Sequence, residues 1–352
     1  MPSYRAIVHR VAAAGPNDVS GVEALFASGL APESVVAILG KTEGNGCVND
    51  FTRGYATKCF EELFARHGVE GVSIVMSGGT EGALSPHWTV FARERVEAEA
   101  TGALAIGGAH TPALRPEELG RRAQIAMVAE GVKQAMADAG IDDPAQVHFV
   151  QIKCPLLTAQ RVAEAEARGE STVTRDTLKS MGFSRGASAL GVAVALGEIA
   201  PDAISDGDIG TRFDLYSGCA STSAGIELMG HEIVVLGMSA DWSGPLAIDH
   251  AVMVDAIDAA SVREALMRLP DGPVAAVLAK AEPDPTGAVR GRRHTMLDDS
   301  DISATRHARA FVGGVLSGLF GMTDIYVSGG AEHQGPPGGG PVAIIIDGNG
   351  GP

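Results

Sequence analysis

Three lysines and three serines recur along this chain in one fixed order. Lysine closes each of three apolar, strand-like runs: VVAILGK to Lys41, VHFVQIK to Lys153 and VAAVLAK to Lys280. After each, at spacings of 36, 70 and 48 residues, comes Ser-(Gly/Ala)-Gly-x-Glu. The copies are Ser77-Gly78-Gly79-Thr80-Glu81, Ser223-Ala224-Gly225-Ile226-Glu227 and Ser328-Gly329-Gly330-Ala331-Glu332. Between lysine and serine lies an arginine at or near the start of a helical stretch. These are Arg53 in NDFTRGYATKCFEELF, Arg185 in MGFSRGASALGVAVALG, and Arg306 or Arg309 in ATRHARAFVGGVLSGLF. Repeat alignment leaves that last choice open. A duplicated fold that keeps its glycine turns explains the glycines, but not a lysine at every strand end.

Lysine is a poor base while protonated, with an ordinary pKa of ~10.4, but burial or a neighbouring arginine lowers that value and releases a neutral amine. An amine within reach of a serine hydroxyl makes a Ser–Lys nucleophile. The Ser-Gly or Ser-Ala step offers backbone N–H groups to a carbonyl oxygen, and arginine supplies a fixed charged donor. Such a set suits acyl transfer on an amide or imide. Three sets about one axis suit a planar substrate with several equivalent carbonyls. One dyad suffices for the chemistry, so two read better as binding groups.

To bring these residues together the chain must repeat its architecture. The expected fold is α+β: three homologous α/β repeat units arranged with pseudo-threefold symmetry around a central active site. Each unit reads strand, helix, strand ending in Lys, Arg-bearing helix, strand ending at Ser-Gly. Front helices are expected over 18–29, 117–140 and 261–269; in the second, Ile125, Val128, Val132 and Met136 form a core-facing stripe. Gly/Pro-rich stretches near 107–116 and 238–250 mark boundaries, giving units over 1–104, 112–248 and 254–352.

Composition limits the partners. The 352 residues are 45% hydrophobic, enough for a sizeable core, and carry 27 basic against 43 acidic side chains, a net charge of −16. That balance opposes nucleic-acid and anionic membrane surfaces. The N-terminus has no signal-peptide apolar segment and no apolar run reaches ~18 residues, so a cytoplasmic protein is expected. Cys47, Cys59, Cys154 and Cys219 show no paired spacing, and Cys154 and Cys219 read as small buried residues near the site. His87, His110, His294, His307 and His333 lack metal-ligand spacing and read as satisfied or surface groups. The run RGRRHTMLDDSDI at 290–302 is either a loop charge network or a site-shaping segment. No P-loop or dinucleotide fingerprint occurs, so no organic cofactor is expected.

Longer stretches, GKTEGNGCVNDFTR, MSGGTEG, GFSRGASALG, RGRRHTMLDDSDI and VSGGAEHQGPPGGG, resemble the cyanuric acid hydrolase and barbiturase family of ring-opening amidohydrolases. The resemblance covers essentially the whole chain and lies closer to the cyanuric acid hydrolases. It implies three repeated units around one site, with hydrolytic opening of cyanuric acid to carboxybiuret, which loses CO2 to give biuret. It implies Ser223 as nucleophile and Lys153 as its general base. Ser77, Gly78, Ala224, Ser328 and Gly329 would bind substrate, with Arg53, Arg185 and Arg309 around the ring; family spacing favours Arg309 over Arg306. Lys41 and Lys280 would tune charge and bind substrate. Some relatives carry a structural divalent cation, Mg2+ or Ca2+, at positions matching Glu282, Ala331, Gln334, Gly335, Pro336 and Gly339. The family further implies a homotetramer. Competing readings are a barbiturase, a non-catalytic binder of a planar cyclic imide, and a structural repeat protein. Nothing in the sequence alone says why the second dyad rather than another should react.

Overall fold

The computed structural model describes residues 3–349. The first unit runs β1 (Ser3–Ala12), α1 (Ser20–Ala27), β2 (Val35–Thr42), α2 (Phe51–Arg66), β3 (Ser73–Gly78) and β4 (His87–Val96). The second runs β5 (Ala103–His110), α3 (Arg122–Ala139), β6 (Val147–Pro155), α4 (Ala159–Ala167), α5 (Thr177–Ala195), β7 (Ala220–Gly225) and β8 (Glu232–Ser239). In the third, β9 (Leu246–Met253), α6 (Ala259–Arg268) and β10 (Val274–Ala281) precede a small hairpin, β11 (Ala288–Val289) and β12 (Arg292–Arg293). It closes with α7 (Ala304–Phe320), β13 (Tyr326–Gly329) and β14 (Gly340–Asp347).

Three four-stranded sheets result, ordered β1-β4-β2-β3, β5-β8-β6-β7 and β9-β14-β10-β13. Within each, the first and second strands pair antiparallel to the last, and the second pairs parallel to the third. Parallel neighbours need a crossover, which α2, α5 and α7 provide. Even an irregularity repeats: register shifts at Val35, Val147 and Val274, six residues ahead of the lysine in every unit. The expected threefold α/β repeat is therefore the observed architecture.

Strand pairing moves the divisions between units. β5 pairs with β8 and β9 with β14, so the expected boundaries at 104–112 and 248–254 cut through strands. The sheets part instead within 97–102 and 240–245. Gly107 and Gly108, read from composition as linker, lie inside β5 because α3 packs closely on that strand. A Cβ on Gly107 would overlap the Ala135 carbonyl oxygen and stand 2.7 Å from Ala139 N. The front helices form near their expected places, and the Ile125, Val128, Val132 and Met136 stripe of α3 is buried.

The period-two alternation of a strand explains how the chemistry reaches the centre. Ala37 and Leu39 of β2 and Val75 of β3 enter one large core shared by all three sheets, and Lys41 and Ser77 follow on the same face. Ala276, Leu278 and Tyr326 do likewise ahead of Lys280 and Ser328. The intervening residues, Ile38, Ile74 and Met76 or Val277, Ala279 and Val327, pack outward under the helices. Among the described residues no helix is long and apolar enough to cross a membrane. Gly107→Ala should lower stability by about 1–3 kcal/mol, the usual cost of overpacking, read as a drop in the thermal or denaturant midpoint.

Candidate active site

Each lysine meets its serine directly across a parallel strand pair: Lys41 opposite Ser77, Lys153 opposite Ser223, Lys280 opposite Ser328. All three lysines are buried. Each also crosses to another unit, where it donates to the carbonyl just before that unit's serine. Lys41 Nζ reaches Val327 O at 2.7 Å, Lys280 Nζ reaches Thr222 O at 2.9 Å and Lys153 Nζ reaches Met76 O at 2.8 Å. The links run from first unit to third, third to second and second to first, closing a ring.

The arginines form a second ring. Arg309 clamps Glu81 through Nε and Nη2 at 2.9 and 2.6 Å, and Arg185 clamps Glu332 at 2.8 and 2.6 Å. Arg306 instead donates to Ser303 Oγ beside its own helix start, so Arg309 is the third-unit arginine at the centre. Glu81 and Glu332, at the end of the Ser-x-Gly-x-Glu signature, are thus the anchors of these two arginines, a role no local pattern in the sequence signals.

The second unit departs from both rings. By the rotation relating the other two, Arg53 would clamp Glu227. It donates instead to Ala224 O at 2.9 Å and Cys47 O at 2.6 Å, with Nε 3.7 Å from Asp50. Glu227 lies 2.7 Å from Lys153 Nζ. Lys41 and Lys280 donate to their serines at 3.2 and 3.0 Å, whereas Ser223 Oγ is buried without a hydrogen-bond partner among the described residues. The Ser–Lys hydrogen bond expected in the second unit is therefore formed only in the other two. In the second unit the lysine nitrogen is instead ion-paired with the Glu227 carboxylate.

Backbone geometry accompanies the difference. After Ser77 and Ser328 the second glycine turns left-handed, with φ +105° at Gly79 and +78° at Gly330. Gly225 instead continues β7. Side-chain space differs too: a Cβ on Gly78 would overlap the Asp50 carboxylate, and one on Gly329 would overlap Thr305, while Ala224 is accommodated.

Ser77, Ser223, Ser328, Arg53, Arg185 and Arg309 line one small central cavity together with Gly78, Ala224 and Gly329. It adjoins a larger cavity of about 560 Å3, sharing Gly46, Met181, Arg185, Arg309 and Gly329 with it. The lysine nitrogens lie behind the serines. Burial lowers all three lysine pKa values: Lys41 falls well below the ordinary value with Arg309 adding to the effect, and Lys280 falls to about 7 beside Arg185. Lys153 is also lowered by burial, but Glu227 pulls the other way. Burial pushes Glu227 up, yet Lys153 and Arg53 together hold it below the usual carboxylate range.

None of the five histidines singled out above lines the central cavity. His333 bonds Leu215 O and Gly210 N, and Cys154 and Cys219 are buried free thiols. The 290–302 segment forms surface ion pairs, Arg290 with Asp255 and Arg293 with Asp298, which is the charge-network reading.

Of the residues matched to a cation, Glu282 is deeply buried, and burial with the nearby Glu332 raises its pKa to about 7. Arg185 and Lys280 are the basic groups facing these two carboxylates. Ala331 N donates to Glu282 Oε2 at 3.2 Å, and Glu282, Ala331, Gly335 and Pro336 border a cavity of about 240 Å3. Gln334 contributes differently from expectation, because its side-chain oxygen accepts from Thr222 N at 2.6 Å. Gly339 closes the turn on Pro336 O.

A threefold α/β scaffold that converges serines, lysines and arginines on one polar pocket describes a hydrolase of cyclic amides. Residues 7–347 match the model of the amidohydrolase ring-opening protein family, and the chain belongs to that family. It is 76% identical over 348 residues to the cyanuric acid amidohydrolase of Rhizobium leguminosarum bv. trifolii, covering 99% of both chains. Against that of Azorhizobium caulinodans it is 63% identical, covering 96% of this chain and 97% of the relative. The crystal structure of the hydrolase from A. caulinodans superposes with a TM-score of 0.94 at 61% identity, covering 99% of each chain. A second solved cyanuric acid hydrolase, described as an innovation by structural concatenation, also gives 0.94, at 49% identity, covering 98% of this chain and 100% of that one.

His87, the cross-strand neighbour of Lys41, is buried, and burial lowers its pKa to about 4 while Nδ1 bonds Ser85 O at 2.8 Å. It is neutral in the folded chain and gains a proton on unfolding below its ordinary value of 6.5. Its stabilising contribution is full above that value and is lost as pH falls toward 4. Thermal midpoints measured between pH 7 and 4 should therefore fall less steeply in His87→Gln than in the unchanged protein.

Proposed function

We propose that this protein opens the ring of cyanuric acid by hydrolysis, with Ser223 as nucleophile and Lys153 as general base. The observation that carries this reading is the threefold donor array with one exception. Cyanuric acid is a planar ring of three carbonyls alternating with three N–H groups, so three Ser–Arg sets match it edge by edge. Ser77 and Ser328 each accept from a lysine, which leaves the hydroxyl proton to donate to a ring carbonyl. Ser223 Oγ alone keeps its lone pairs free for attack. The names of the relatives point to the same substrate.

In this mechanism Ser223 Oγ bonds to a ring carbonyl carbon while its proton passes to the neutral amine of Lys153. The arginines and the remaining donors stabilise charge on the carbonyl oxygens. The tetrahedral adduct collapses, the ring C–N bond breaks, and Lys153 returns the proton to the leaving nitrogen. Water, losing a proton to Lys153, then bonds to the acyl carbon; the C–Oγ bond breaks, Lys153 returns the proton to Ser223 Oγ, and carboxybiuret is freed, which loses CO2 to give biuret.

Glu282 and main-chain oxygens of the 331–339 loop would hold a divalent cation of structural role. It would add counter-charge there and steady Gln334, whose amide fixes Thr222 beside the nucleophile. Dialysis against a chelator should lower the thermal midpoint, and Mg2+ or Ca2+ should restore it.

Turnover of cyanuric and barbituric acids should be followed side by side by loss of ring absorbance. Cyanuric acid should be consumed, and Ser223→Ala should lower kcat by roughly 10⁴–10⁶-fold, with smaller losses in Ser77→Ala and Ser328→Ala. Acid-quenched mass spectrometry should find the acyl adduct on the peptide containing Ser223. Undiminished turnover in Ser223→Ala would remove the assignment of the nucleophile. Preference for barbituric acid, which has CH2 in place of one N–H, would keep the mechanism and change the substrate.

A further inference from the structure

The three units act as internal controls for one another, and they expose what singles out the second dyad. In the first and third units the signature glutamate is committed to an arginine, and the lysine nitrogen is hydrogen-bonded to its own serine. In the second unit three features change together. Arg53 donates to Ala224 O and Cys47 O rather than to the glutamate, with Asp50, the N-cap of α2, 3.7 Å from its Nε. Gly225 continues its strand rather than turning left-handed. Glu227, released from the arginine, sits 2.7 Å from Lys153 Nζ. Glu227 does not line the central cavity, so it acts on the lysine and not on the substrate.

Building on the Ser223–Lys153 assignment, we propose that Glu227 is the positioning residue that makes the second of three equivalent dyads the reactive one. It draws the Lys153 nitrogen off Ser223, so the hydroxyl oxygen is left uncapped. It also strengthens Lys153 as a base relative to its two counterparts, because a carboxylate beside an amine favours the protonated form. Proton transfer from Ser223 is then driven further at the second dyad than an arginine-flanked lysine would drive it. Lys41 has Arg309 close by and Lys280 has Arg185, each with its glutamate turned to the arginine. The charged groups facing Lys153 are Glu227, Arg53 of α2 and Glu232, its cross-strand neighbour on β8.

The experiment is a kcat and KM pH profile for Glu227→Gln on cyanuric acid, with Glu227→Asp, Glu81→Gln and Glu332→Gln alongside. Removing the negative charge lowers the pKa of Lys153. The limb on which kcat rises as Lys153 loses its proton should therefore move about 1–2 units to lower pH, while maximal kcat falls about 10²-fold. KM should change little. Glu227→Asp keeps the charge and should return the limb toward its original position, which also covers the case of a poorly folding glutamine variant. Glu81→Gln and Glu332→Gln loosen arginines at the substrate edge, so they should raise KM and leave the limb in place. Glu232 is itself held near 7 by burial and titrates in the same window, so the displacement is measured again in a Glu232→Gln background. It should persist there.

An unmoved limb in Glu227→Gln, an equal movement in Glu81→Gln, or loss of the displacement without Glu232 would each overturn the proposal. Failure of the underlying assignment looks different: Ser223→Ala would then turn over cyanuric acid at the unchanged rate.

Discussion

A lysine nitrogen cut off from water is costly unless its protons find acceptors, and this chain buries three such lysines around one axis. The three sheets are arranged to satisfy that demand. Each lysine ends an inward-facing row of its own strand, and each finds a main-chain carbonyl on another sheet. The same three bonds join the first, second and third units head to tail. Removing any one unit would leave a lysine of another without its acceptor, so the site and the union of the units depend on one set of contacts.

Much of this could be read in one dimension because strands are simple. A lysine that ends a strand lies on the face set by the residues two and four places before it, and the parallel partner presents its serine in register. Repetition of that pattern three times suffices to imply three like sheets around a centre. The divisions between units were less legible. Gly107 and Gly108 look like linker by composition, yet they belong to a strand because a helix presses on it, and only packing carries that information.

The role of Glu81, Glu332 and Glu227 was hidden for a different reason. All three stand in the repeated signature, but what each does is decided by an arginine from another unit, 228 residues away for Glu81 and 147 for Glu332. No local pattern encodes such a contact. The choice between Arg306 and Arg309 is of the same kind, since it turns on which side of α7 meets the first unit. Asp50 caps α2 and also lies 3.7 Å from Arg53 Nε, while the arginine's other nitrogens bond Cys47 O and, in the second unit, Ala224 O.

A threefold site poses a problem that a single dyad does not. Three equally reactive serines around a threefold ring would compete for one substrate, and none would be left as a pure donor to hold it. Breaking the symmetry at one position resolves this with few changes. In the proposed mechanism two serines that accept from lysines are left to donate to a carbonyl, and Ser223, which accepts from none among the described residues, is the one that attacks. In that proposal the division of labour follows from where one carboxylate points, and its position goes with an arginine bound to Ala224 O and Cys47 O and one glycine that stays in its strand. Binding and reaction are thereby separated within a framework whose strand order is the same in all three units.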